Sequence, residues 1–297
     1  MMLPIGEKGV IKMKLTHDSA SGATRPKYER VLDLWLRDQD IRLPMAARPW
    51  AGICVQHGAD LALGLADFNE LLGQQEPVPM AEAVRSAMAK YDEYEPRKWD
   101  EGKDAEEYEA FREHIPEMIA QAVAAVKDCF SKANLIEGEY QRWMDVDGLD
   151  HRIMLYQDYS AGGQQADLKC SLPLRNPPKK DGTRSWRIPK PKTEPSWQQA
   201  MQQAVYWKAT GQEPSLLFVT ASGYHIANKE NCQALTEESL ELAYNDAVRS
   251  WKTTQNLVRA ANGNWRTLAG LVQPDFVEIA QRHGPDIVKL ARQLWSD

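Results

Sequence analysis

The chain has 297 residues, 43% hydrophobic and 26% charged, with a net charge of −6 at pH 7; it can bury a sizeable core as one large domain or two, and it excludes a protein that coats nucleic acid through a broad basic surface. No apolar run approaches the roughly 18 residues of a membrane span and no apolar leader-like stretch opens the chain, so a soluble, unexported protein is expected. Cys54, Cys129, Cys170 and Cys232 stand far apart with no C-x-x-C pair, which suggests neither a disulfide framework nor a zinc or iron–sulfur site and fits a reducing cytoplasm.

The elements follow in chain order. A helix is expected over 26–37, where Val31, Leu32, Leu34, Trp35 and Leu36 supply an apolar side. A second over 50–65 places Ala59, Leu61, Ala62 and Leu65 at helical intervals and holds His57. Residues 77–134, rich in Ala, Glu, Lys and Arg, read as two or three surface helices broken by the charged stretch 95–103, the last with Pro116 at its start. Helix formers then thin out, and runs at 138–144, 152–159 and 164–172 read as strands. A loop rich in Pro, Lys and Arg over 173–195 leads to a helix over 197–210, with Ser196 as N-cap and Gly211 as stop. A second hairpin is expected from 216–220 and 224–227. Beyond it the chain reads as helical, with a long helix capped by Thr236 and two shorter ones opened by Pro274 and Pro285.

Chemistry concentrates in Asp158-Tyr-Ser-Ala-Gly162-Gly163-Gln-Gln-Ala-Asp167-Leu-Lys169. Gly-Gly between two strand-like runs is a two-residue hairpin signal, because both positions tolerate positive φ. With that turn, Ala161 faces Gln164, Ser160 faces Gln165, Tyr159 faces Ala166 and Asp158 faces Asp167. Like charges directly opposed are destabilising, and a cation between them relieves the cost. Side chains alternate along a strand, so Lys169 shares the face of Asp167 while Ala166, Leu168 and Cys170 turn to an apolar side. Two acids and an amine at one point suit phosphodiester hydrolysis with magnesium or manganese. An isolated D-x-K is usually a solvated strand edge with a weak salt bridge, and the opposed Asp158 is what lifts the reading above that.

These residues resemble the core of the RecB-like branch of the PD-(D/E)XK nucleases, particularly the exonuclease-type members encoded by phages. In that branch an aspartate precedes a hairpin to a D-x-K strand and a Q-x-x-x-Y helix follows; Gln202-Gln-Ala-Val-Tyr206 matches the latter. Residues at i and i+4 share a helix face, so an amide and a phenol can reach one site; Trp207, which points elsewhere, is read as core packing. The likeness covers roughly residues 50–225. It departs from the family in two places. A G-x-x-x-H pattern from Gly52 lands on Gln56, with His57 one residue late, and Leu155 stands where a glycine is expected before the aspartate. Glu139 is a further acid at the start of the sheet, and Asp147 and Asp150 are rivals of Asp158.

The resemblance implies an α/β fold with a PD-(D/E)XK (restriction-endonuclease-like) core: a central mixed β-sheet flanked by helices, with added helical segments. One nuclease domain is expected over 1–297, with its core at about 135–227, a helical part at 1–134 and a helical extension at 236–297. Asp158, Asp167 and the Leu168 carbonyl would bind Mg2+ or Mn2+, with His57, Gln56 or Glu139 as fourth ligand. Lys169 would orient the attacking water, and Gln202 and Tyr206 would support substrate or ligands. The loop at 173–195 carries Arg175, Lys179, Lys180, Arg184, Arg187, Lys190 and Lys192 against Asp181 and Glu194. Of these, Lys179, Lys180, Arg184 and Arg187 are candidates to hold DNA phosphates, with Trp186 to stack on a base or wedge a duplex; the alternative is a solvated loop. The expected function is exonucleolytic hydrolysis of linear DNA in phage replication or recombination, in the host cytoplasm, with a recombination or single-strand-binding protein as partner. The alternatives are a structure- or site-specific endonuclease on the same fold and a catalytically silent DNA-binding protein.

Overall fold

The structure is a computed structural model that describes residues 17–41, 43, 45–65, 76–95, 102–133, 135–138, 140–177, 179–180 and 185–296. In chain order its strands are β1 (His17–Ser19), β2 (Tyr140–Met144), β3 (Arg152–Gln157), β4 (Tyr159–Ala161), β5 (Gln164–Cys170), β6 (Leu174–Arg175), β7 (Trp186–Arg187), β8 (Glu213–Thr220) and β9 (Gly223–Ala227). The helices are α1 (Lys27–Asp38), α2 (Ala47–Leu63), α3 (Met80–Tyr91), α4 (Lys103–Arg112), α5 (Ile115–Cys129), α6 (Trp197–Thr210), α7 (Glu237–Ala260), α8 (Trp265–Gly270), α9 (Phe276–His283) and α10 (Pro285–Trp295). This is a mixed α/β chain, and among the described residues no helix is long and apolar enough to cross a membrane.

Two compact units divide the chain: residues 1–44, 143–154 and 246–297 contribute to one, and 45–142 with 155–245 to the other. In the first, β1 runs parallel to the start of β3, pairing His17 with Arg152 and Ser19 with Met154. Its apolar core joins Val31, Leu32 and Leu36 of α1 to Leu268, Ile279, Ile287 and Leu294. Asp275 caps α9 by accepting from the Val277 and Glu278 amides, while Pro285 sits in the first turn of α10. Beside this core lies a buried charged group. Arg30 bridges Asp18 at 2.9 Å and Asp33 at 3.2 Å, and Asp33 also takes Arg25 and Arg37. Lys27 Nζ donates to the carbonyl and hydroxyl of Ser250, at 2.9 and 2.7 Å. Burial, partly offset by the Asp18 charge, holds the nearby His151 below the ordinary histidine range.

The second unit is built on a four-stranded sheet in the order β4-β5-β8-β9, antiparallel except for the parallel pair β5–β8. The central strand β8 is buried from Pro214 onward, as its run Leu216-Leu-Phe-Val219 requires. Helices α2 and α5 cover one face of this sheet. On α2 the residues Ala47, Ala51, Cys54, Val55 and Ala59 recur at helical spacing and are fully buried with Ile115, Met118, Ile119 and Ala122 of α5 and Leu168 and Leu217 of the sheet. The two helices approach closely because Gly58 lacks a side chain: a Cβ there would lie 2.6 Å from Ile119 Cδ1. Among its described residues the stretch 77–134 holds three helices, and α5 among them is a core helix, not the surface helix that composition suggested.

Candidate active site

The turn at Gly162 and Gly163, with φ of 56° and 84°, has the double positive φ of a tight hairpin. Its register matches expectation: Ala161 with Gln164, Ser160 with Gln165, and Tyr159 with Ala166. The ladder stops there, one pair short of Asp158 and Asp167. The expected strand 152–159 is broken at Asp158, because Asp158 Oδ2 accepts from the Leu168 amide at 2.7 Å and takes the place a backbone carbonyl would hold in a continued ladder. The acid is thereby fixed against β5 by the chain's own backbone.

Asp167, 3% exposed, stands beside Asp158. Desolvation by its surroundings, then the charge of Asp167, holds the Asp158 carboxyl well above the usual carboxylate range, against the pull of Lys169 and the Leu168 N–H; a hydrogen bond between the two carboxyls adds to the shift. Lys169 Nζ forms an ion pair with Asp167 Oδ2. Burial works to lower the lysine, but the charges of Asp167 and Asp158 outweigh it and the ammonium is held above its ordinary range. Lys169 is thus a cation and a hydrogen-bond donor here, not a neutral base. Strand alternation holds on both sides, with Ala166 and Leu168 in the apolar core.

Helix α6 closes the site. Its start is fixed by a capping box, in which Ser196 Oγ accepts from the Gln199 amide and Gln199 Oε1 from the Ser196 amide, and Gly211 at φ 69° ends it. Lys169 Nζ donates to Gln202 Oε1 at 3.2 Å, and Gln202 Nε2 donates to Tyr206 Oη at 2.8 Å. Burial, then the charges of Asp167 and Asp158, pushes the Tyr206 phenol far up, so it stays neutral. Gln203, fully buried, donates from Nε2 to Asp167 Oδ2 at 3.2 Å. Sequence reasoning missed this residue. Its only signal is adjacency to Gln202, and a neighbour one position along a helix normally leaves the shared face. Also missed is the Tyr159 hydroxyl, which donates to Asp60 Oδ1 of α2 at 2.9 Å and ties the hairpin to that helix. Cys170 follows Lys169, but burial, then the Asp158 charge, pushes its thiol up to about 12, so it is not a nucleophile at neutral pH.

The structure thus brings Asp158, Asp167, Lys169, Gln202 and Tyr206 together. Of the expected fourth ligands, His57 has its Nε2 3.0 Å from Ser86 Oγ, and among the described residues no group of three or more His, Cys, Asp or Glu gathers to hold a metal. Gln56 lies beside His57 on α2, and Glu139 lies outside the described residues. Of the rivals to Asp158, Asp147 is exposed, and Asp150 is exposed and paired with Arg259 at 2.5 Å. In the basic loop Lys179, Lys180 and Arg187 are exposed, whereas Arg184 lies outside the described residues. Arg175 is taken up by an ion pair with Glu106. Trp186 is half-buried and packs edge-on against Phe111, with ring centroids 6.0 Å apart, which joins it to the core.

No family model matches the chain, and no curated protein matches it. Among solved structures it has a likeness to the crystal structure of SSO0001, at 12% identity over 58% of this chain and 87% of that one, with a TM-score of 0.24. A likeness that low carries no argument about fold or function.

Proposed function

We propose that the chain is a magnesium- or manganese-dependent deoxyribonuclease with a PD-(D/E)XK-type core, acting as an exonuclease on linear DNA in phage replication or recombination. The observation that carries this reading is the contact of Asp158 with Asp167 beside Lys169. Two carboxyls held together, one of them raised above the usual carboxylate range by desolvation and then by the charge of the other, are a poor arrangement for stability and a good one for a hard divalent cation. Asp158, Asp167 and the Leu168 carbonyl are the groups that would hold it. So few protein ligands suit magnesium, which keeps several waters. When bound, the ion polarises a phosphate and lowers the pKa of a bound water.

The chain's own residues supply the rest. The Leu168 amide and Gln203 orient the two carboxyls. Lys169, held cationic, offers an ammonium to orient the attacking water and to balance charge that develops on the phosphate. Gln202 accepts from Lys169 and donates to Tyr206, which fixes its amide and steadies the lysine. Lys179, Lys180 and Arg187, all exposed, would hold DNA phosphates. The test compares end-labelled linear DNA with covalently closed circular DNA, each with magnesium and with excess chelator. Magnesium-dependent loss of linear DNA alone is expected. Cleavage of the circle would make the protein an endonuclease, and no cleavage of either would overturn the enzymatic reading.

A further inference from the structure

The segment from β7 into α6 is exposed yet held. Asn176 binds Ser185 through both its backbone amide and its side-chain amide, each at 2.9 Å. Ser222 Oγ donates to the Pro189 carbonyl at 3.5 Å, Cys232 Sγ donates to Glu194 at 3.6 Å, and the capping box fixes the far end. With Trp186 turned onto Phe111, the next residue of β7, Arg187, is turned outward. Arg187, Lys190 and Lys192 are all exposed, and among the described residues none of the three forms an ion pair. The same segment exposes two apolar side chains: Ile188, 42% exposed, and, where it enters α6, Trp197, 51% exposed.

Trp197 is the first residue of α6. It precedes Gln202, the partner of Lys169, by five residues, which is about 7.5 Å along the helix axis. Its ring makes no aromatic or cation–π contact among the described residues. An indole with so much of its area in water, at the end of a segment that also exposes three cations in no ion pair among the described residues, in a chain of net charge −6, supplies the two components by which proteins hold unpaired strands: a flat π surface for a base and positive charge for the backbone.

We propose that Trp197, with Arg187, Lys190 and Lys192, is a stacking platform for an unpaired nucleotide, so that the DNA this protein engages is a single strand or a frayed end instead of a closed duplex. The proposal rests on the nuclease reading for the identity of its ligand, and its test is binding, measured without cleavage. Fluorescence anisotropy in excess chelator would follow a labelled oligothymidine and a labelled blunt duplex of the same length. Trp197→Ala is expected to weaken the single strand about tenfold, the scale of one base stack, and the duplex less than about twofold. Trp197→Phe should keep most of the affinity, since a flat ring remains. Both variants should melt with wild type, because the side chain is exposed. The platform is overturned if wild type does not bind the oligothymidine, if Trp197→Ala binds it as wild type does, or if both probes weaken equally. Wild type that binds through Trp197 but cleaves nothing in magnesium would overturn the nuclease reading alone. Cleavage with Trp197 indifferent to binding would overturn the platform alone.

Discussion

Each unit of this protein keeps carboxylates out of water, but under different terms. In the first, Asp18 and Asp33 face guanidinium groups: Arg30 touches both, and Arg25 and Arg37 add to Asp33. Opposite charges meet as ion pairs, with hydrogen bonds from Arg25, Arg30 and Arg37 to Asp33, and burial holds the neighbouring His151 below the ordinary histidine range. In the second, Asp158 meets another acid, Asp167, and a single lysine faces the two of them. In the first group each acid faces opposite charge, although Asp18 Oδ2 and Arg30 Nε make no hydrogen bond among the described residues. The second leaves one carboxyl with its ionisation opposed, and on that imbalance the proposed nuclease site rests. What separates the two groups is therefore not the burial of charge but the meeting of like charges in the second.

The largest expected effect falls on the uncompensated group. Lys169→Ala should lower magnesium-dependent DNA hydrolysis by about 10²–10⁴-fold while leaving DNA binding in chelator intact, because the ammonium acts on the reacting groups and not on the duplex. Turnover within about twofold of wild type would place the chemistry elsewhere. On the compensated side, Arg30→Ala should cost about 3–5 kcal/mol of stability, since it strands Asp18 and removes one partner of Asp33. Urea denaturation would show it as a lower midpoint at unchanged slope. A change below about 1 kcal/mol would mean that the buried cluster is not a fixed network.

Next in size comes the loop, where Lys179, Lys180 and Arg187 are exposed and, among the described residues, form no ion pair. Changing Lys179, Lys180 and Arg187 to alanine should weaken DNA binding and flatten the dependence of log K on log salt by up to about 0.9 for each phosphate no longer neutralised. An unchanged slope would show that the loop is only solvated.

Much of this was legible in the sequence, for reasons that differ by residue. The hairpin register followed from Gly162-Gly163 alone, because two adjacent positive-φ positions fix a two-residue turn and the turn fixes the pairing. Helix α6 followed from its cap and stop, Ser196 and Gly211. The break at Asp158 did not follow, since it depends on a side chain reaching across to the Leu168 amide, a tertiary substitution that strand propensity cannot encode. Gln203 was illegible for a like reason: helical spacing assigns it a direction, but only the position of Asp167 makes that direction functional. Trp186 was read by composition as free to stack, and Phe111, far from it in sequence, took it into the core.

The smallest expected effect tests the comparison most sharply, because it asks whether the opposed acids cost stability at all. Asp158→Asn keeps the shape and the oxygen that accepts from Leu168 while removing a charge from beside Asp167. The folded carboxyl is raised above its ordinary value of about 3.9, so the native state holds the proton more tightly than the unfolded chain does. The stability this contributes is present near the ordinary carboxyl value and lost as pH rises through the raised folded value. In chelator at neutral pH the variant should therefore melt no lower than wild type, and higher by up to about 1 kcal/mol, the scale of one unfavourable like-charge pair. Its stability should also fall less between acidic and neutral pH. Magnesium should raise the melting temperature of wild type by mass action and of the variant much less. If the variant keeps the full magnesium response and Asp147→Asn or Asp150→Asn abolishes it, the cation answers to an upstream acid, and the repulsion at the hairpin has another purpose.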